Sequence, residues 1–133
     1  MKLSSVSILR LTKCAPELQL LAFEAVKESP YEFFITHGYR SITEQQKLYA
    51  QGRTVEGKKV TNCDGVKNKS KHNYLPSQAF DIAIKVNGEI TWNEKYYKEM
   101  GAYFKGIAAK LGIKITWGGD FKNFKDLVHY ETN

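Results

Sequence analysis

Residues 79–92 read Ala-Phe-Asp-Ile-Ala-Ile-Lys-Val-Asn-Gly-Glu-Ile-Thr-Trp. Phe80, Ile82, Ile84 and Val86 alternate with Asp81, Ala83 and Lys85, the period of a half-buried strand. Asn87-Gly88 is a two-residue hairpin signal and predicts a return strand over Glu89 to Trp92. If Phe80, Ile82 and Ile84 face a core, alternation turns Asp81 to the opposite face, between the small residues Ala79 and Ala83. Small flanks leave room for something to sit on that carboxylate.

Outward from this hairpin, Asn93 can cap a long helix whose Tyr96, Met100, Tyr103, Phe104, Ile107 and Leu111 form one face, with Gly112 closing it. Ile113, Ile115 and Trp117 alternate as another strand, and Leu127 to Glu131 reads as a last one. Upstream, Pro16 opens a helix carrying Leu18, Leu21, Ala22, Ala25 and Val26, and Pro30 stops it. Glu32 to Thr36 is a short β-type run ended by His37-Gly38. Ser41-Ile42-Thr43-Glu44 is a capping box for a helix that should end at Gly52. Residues 53–70 show no period and read as one long loop. Helices first and strands mainly later predict an α+β fold, with helices packed on a small antiparallel sheet. There are no repeats and no linker, so residues 1–133 are expected to form a single domain.

Hydrophobic residues make up 42% of the chain and charged residues 26%, which excludes collagen-like and bulk-disordered classes. No stretch approaches the ~18 apolar residues of a membrane helix, so no membrane insertion is expected. The apolar run over residues 1–14 is broken by Ser4, Ser5, Ser7 and Arg10, and no signal peptide is read. The protein is expected to be cytoplasmic on synthesis and a monomer. Cys14 and Cys63 form no Cys-x-x-Cys pair and are expected to be reduced thiols. The net charge is +6, and residues 53–72 hold six Lys or Arg against two acidic residues. That loop is either a solvated surface or an attractor for nucleic acid, acidic lipid or an anionic cell-wall polymer.

The chain has three histidines and four aspartates, and their placement is informative. His72 begins the segment leading to Asp81, and His129 lies on the terminal strand three residues after Asp126. Two neutral imidazoles and a carboxylate make a three-ligand set for zinc, with a fourth position open. Each residue taken singly also reads as a surface or capping group. His37 reads as a structural or pocket-wall residue, and Trp92 and Trp117 as packing. Asp120 either turns its loop or supports a ligand, and Glu131, sharing a strand face with His129, can support the site. The tyrosines at 96, 97 and 103 read as a helix face against the sheet.

Ser70-Lys71-His72-Asn73-Tyr74 followed by Ala79-Phe80-Asp81-Ile82 resembles the Ser-x-His … Ala-x-Asp motif of the D-Ala-D-Ala carboxypeptidase and L-alanyl-D-glutamate endopeptidase family. Trp117-Gly118-Gly119-Asp120-Phe121 leading to Asp126-Leu127-Val128-His129-Tyr130-Glu131 is similar to its second motif, and His37-Gly38-Tyr39-Arg40-Ser41 with Glu44-Gln45 and residues 48–54 to its Gly-x-Arg segment. The likeness runs from Ile8 to Glu131 and is strongest to single-domain phage endolysins. It implies a hedgehog/D-Ala-D-Ala-peptidase-like fold. It also implies Zn2+ on His72, Asp81 and His129, Asp126 as catalytic base, and Arg40 and Ser70 as substrate contacts. Peptidoglycan is then the partner and nucleic acid is not; with no signal peptide read, the wall is expected to be reached after release through a membrane lesion. The His-to-Asp connection, filled by Leu75-Pro76-Ser77-Gln78, is longer than the family usually has, and Asp126 stands where many relatives have Glu. The implied reaction is hydrolysis of the L-Ala-D-Glu bond of the stem peptide. Within the same fold, a D-Ala-D-Ala carboxypeptidase is the alternative, and a non-catalytic basic nucleic-acid-binding or wall-binding module is the alternative of a different class.

Overall fold

A computed structural model describes all residues, 1–133. Four helices, α1 (Ser5–Leu11), α2 (Pro16–Ala25), α3 (Ile42–Ala50) and α4 (Glu94–Leu111), accompany five strands. These are β1 (Glu32–His37), β2 (Ala79–Val86), β3 (Glu89–Thr91), β4 (Ile115–Trp117) and β5 (His129–Thr132). The strands form one antiparallel sheet in the order β1-β2-β5-β4, with β3 pairing the far end of β2. The α+β architecture expected from the sequence is present.

Phe80, Ile82 and Ile84 enter a core shared with α2 and α4, where Phe104 meets Phe33, Phe80 and Tyr130 with ring centroids 4.5–6.0 Å apart. The strand is not half-buried as its alternation suggested. Every residue from Ala79 to Ile84 is buried, because β2 has neighbours on both edges and chain over both faces. The apolar stripe of α4 also differs from the expected one. It centres on Tyr97, Met100, Gly101, Phe104 and Ala108, leaving Tyr96, Tyr103 and Ile107 on its flanks. Gly101 is small because the Trp117 indole lies against it, 2.5 Å from where a Cβ would stand. Trp92 does not pack into the core; it stacks on Tyr97 at the surface.

The helix α1 was not expected, since serines and Arg10 interrupt its apolar pattern. Those interruptions have a task. Ser4 caps the helix, Ser7 Oγ accepts the Ile35 N–H at 2.9 Å, and Arg10 donates to the Ile35 carbonyl at 2.8 Å. α1 thereby satisfies the N–H and carbonyl of Ile35 on the open edge of β1. The long loop after α3 contains no helix or strand until a 3-10 turn at Lys71–Asn73. It is fastened to α3 by Arg53, which donates to the carbonyls of Tyr49 and Thr61, and by Gln51, which donates to that of Lys58. No helix is long and apolar enough to cross a membrane.

Tyr130 is fully buried with its hydroxyl unpartnered, and burial pushes its phenol far above the ordinary value. Tyr130→Phe removes that orphaned group without changing shape. It is expected to raise stability by about 1 kcal/mol in urea denaturation.

Candidate metal centre

His72 sits in the 3-10 turn that Ser70 caps, its N–H donating to Ser70 Oγ, while Asn73 accepts from Ser70 N–H and donates to the Arg40 carbonyl. The Arg40 N–H in turn donates to the His72 carbonyl at 2.8 Å. Asp81 lies on β2 and His129 on β5, and the two are direct partners in the sheet register. Asp126 precedes β5 and is held by its own N–H bond to the Gly118 carbonyl. A Cβ on Gly118 would stand 2.1 Å from the Asp126 carbonyl oxygen, which accounts for the glycine after Trp117.

His72 Nε2, Asp81 Oδ1 and His129 Nδ1 form a nearly equilateral triangle with edges of 3.1, 3.1 and 3.2 Å. All three residues are buried. The remaining ring nitrogens fix both tautomers. His72 Nδ1 faces the Gly38 carbonyl at 2.8 Å, and His129 Nε2 faces Glu131 Oε1 at 2.8 Å. Both acceptors lack protons, so in the neutral rings those nitrogens carry N–H and the bare lone pairs converge on Asp81. Two lone pairs and a carboxylate oxygen at this distance repel one another unless a metal ion, or in its absence a proton, joins them. Tetrahedral zinc-type bonds of about 2.0–2.1 Å give ligand–ligand edges of about 3.3–3.4 Å, close to the triangle found. The three residues fit a metal ion.

Burial alone would raise the Asp81 carboxyl, but the His72 and His129 imidazoles hold it far below the usual carboxylate range. Burial alone would lower His129, and hydrogen bonds to Asp81 and Glu131 overcome it, raising the imidazole to about 9. Asp126 is half-buried, with Oδ2 4.0 Å from His129 Nδ1. Burial and the Asp81 charge push its carboxyl up from the ordinary value.

The cluster forms the floor of a pocket of roughly 540 Å³, room for a short peptide rather than an ion alone. Arg40 Nη2 stands 3.7 Å from Asp81 Oδ2, and Ser70 lies in the wall, as do Lys69 and Lys71 of the basic loop. His72, Asp81, His129, Asp126, Arg40 and Ser70 thus come together. Glu131 supports His129 as its strand face allowed. Asp120 does not support a ligand; it pairs with Lys105 at 2.9 Å on the surface. Gln45 has a structural part that the sequence reading did not assign. Fully buried, it accepts from Arg40 Nη1 at 3.0 Å and donates to the Cys63 carbonyl at 2.8 Å and to Thr61. Its signal was its place in the Glu44-Gln45 pair of the motif-like segment, which did not say what it would hold. Both cysteines are free.

A family model described as phage L-alanyl-D-glutamate peptidase matches residues 1–132. The chain is 43% identical over 103 residues to the peptidoglycan L-alanyl-D-glutamate endopeptidase CwlK of Bacillus subtilis, covering 73% of this chain and 58% of that protein. It therefore spans less than two thirds of that relative's length. It is 30% identical over 113 residues to the L-alanyl-D-glutamate peptidase of Escherichia phage T5, covering 84% and 75%. The crystal structure of the Serratia marcescens L-Ala D-Glu endopeptidase ChiX superposes with a TM-score of 0.80 at 23% identity, covering 99% of this chain and 90% of that one, a likeness of fold.

Because a proton on His129 competes with a metal, affinity is expected to climb about tenfold per pH unit up to about pH 9 and then level. Glu131→Gln removes one of the charges that raise His129. It should lower that plateau pH and weaken metal binding ~10–100-fold. Competition with a chromogenic chelator across pH measures both effects.

Proposed function

The chain belongs to the phage L-alanyl-D-glutamate peptidase family, and we propose that it hydrolyses the L-Ala-D-Glu bond of peptidoglycan stem peptides with Zn2+ held by His72, Asp81 and His129. The observation that carries this reading is the convergence of two tautomer-fixed imidazoles on the Asp81 carboxylate at the floor of a peptide-sized pocket. Zinc bound there supplies a Lewis acid that acidifies water and polarises the scissile carbonyl.

The remaining chemistry belongs to the chain's own side chains. Asp126 takes the proton from the attacking water and returns it to the nitrogen of the leaving D-glutamyl residue. Its raised carboxyl and its 4.0 Å distance from His129 support that role. His72 and His129 are kept in orientation by Gly38 and Glu131 and take no part in the proton transfer. Arg40 binds the anionic substrate through the Nη2 side of its fork, because Nη1 is engaged by Gln45. Ser70 binds substrate from the pocket wall. Lys69 and Lys71 beside it favour approach of an anionic wall polymer. The relatives' named specificity supports the L-Ala-D-Glu bond over the D-Ala-D-Ala terminus, and the phage relative supports action on the cell wall.

Digestion of defined muropeptides should yield a new D-Glu amino terminus by mass analysis, lost on chelation and restored by zinc. Release of terminal D-Ala alone would replace this reading by the carboxypeptidase one. Asp126→Asn should keep stoichiometric zinc and a wild-type unfolding midpoint while losing about 10²–10⁴-fold in rate. Near-normal turnover would move the base elsewhere.

A further inference from the structure

The end of β1 departs from regular pairing at one point. Phe33 and Ile35 point into the core, so unbroken alternation would bury His37 beside them. Instead the register slips between Ile35 and His37: Ile35 pairs with Ile82, and His37 pairs with Asp81. Thr36 is the extra residue. The slip turns His37 onto the Asp81 face of the sheet, where its side chain is half-exposed in the pocket. Bulges beside sites re-aim side chains in this way.

The two oxygens of Asp81 have different company. Oδ1 faces His72 and His129, whereas Oδ2 faces His37 Nδ1 and Arg40 Nη2, each at 3.7 Å. That distance is too long for a hydrogen bond. The His37 ring makes none elsewhere, and Arg40 Nη2 is likewise open while Gln45 holds Nη1. In either protonation state an imidazole offers at least one N–H. Two unspent donors from the β1 side therefore flank the metal-ligand triangle, across β2 from the side that carries Asp126.

We propose that His37 contacts the substrate, and that with Arg40 it clamps the free α-carboxylate of the D-glutamyl residue. The proposal rests on the endopeptidase reading. In a stem peptide, D-glutamate continues the chain through its γ-carboxyl, so its α-carboxylate stays free on the carbon that bears the scissile nitrogen. An anion fixed so close to the reacting bond needs donors beside the ligand triangle, and His37 and Arg40 are so placed. The clamp would make the enzyme distinguish stems bearing D-glutamate from those whose α-carboxylate has been converted to an amide.

Binding separates this from turnover. γ-D-Glutamyl-L-lysine and its α-amide are titrated calorimetrically into zinc-loaded wild type, His37→Ala and His37→Gln. Wild type should prefer the carboxylate by about tenfold or more, the scale of one or two charge-assisted hydrogen bonds. His37→Ala should lose most of that preference with zinc content unchanged, and His37→Gln, which keeps a donor, should regain much of it. An undiminished preference in His37→Ala, no preference in wild type, or loss of zinc from His37→Ala overturns the proposal. If wild type cuts a different stem bond, the endopeptidase reading falls, and the affinity ratio of the two fragments still decides the role of His37.

Discussion

One cross-strand pair governs the molecule: Asp81 on β2 opposite His129 on β5. Burying an isolated carboxylate costs several kcal/mol, and here a cation shared with the His72 and His129 imidazoles, a proton or a metal ion, offsets that cost, with the Arg40 guanidinium 3.7 Å away. A register slip of one residue would send Asp81 into the aromatic core and Phe80 into the pocket. The core contacts of Phe80, Ile82 and Tyr130 therefore protect the site's geometry as well as the fold. The scaffold and the chemistry are enforced by the same hydrogen-bonded ladder.

The surrounding segments are shaped by what that pair needs. His72 comes from outside the sheet, so its turn is tied at both ends: Ser70 and Asn73 close it locally, and Arg40 and Gly38 fix it to the end of β1. Gly38 lies where a Cβ would meet the Arg10 carbonyl at 2.7 Å, so α1, β1 and the His72 turn can meet only at a residue without a side chain. Gln45 extends the same bracing to the basic loop through Thr61 and Cys63. A loop of that length without regular structure can form a pocket wall because a buried amide holds it.

The sheet was legible because it obeys short-range rules, and the His72, Asp81 and His129 cluster because of the motif resemblance. Alternation around Phe80, the Asn87-Gly88 turn and the Ser41 capping box all act within a few residues, and the structure contains them. The motif resemblance supplied what spacing could not, namely that Asp126 and Arg40 belong beside the histidines. What escaped was set by partners far away in sequence. α1 is patterned to serve the edge of β1 rather than to bury an apolar face, so its serines looked like interruptions. The α4 stripe was misjudged because Gly101 is set by the bulk of Trp117, and small residues such as Gly101 and Ala108 carry little periodic signal. The turn of His37 toward the pocket depends on a bulge that no local pattern announces.

The order of the strands also divides the labour of the pocket. On one side of β2, β1 and the residues after it contribute donors, His37 and Arg40. On the other side, β5 and the segment before it contribute acidic groups, Asp126 and Glu131. The outer partners of the two imidazoles follow the same division: a neutral carbonyl orients His72, and a carboxylate orients His129. A carboxylate partner makes His129 the stronger base of that kind of ligand and draws positive charge toward the Asp126 side. A substrate lying across β2 therefore meets a field that runs from donors to acceptors. On the proposed reading its own anionic group would be drawn to the β1 flank, leaving the β5 flank free for moving the proton.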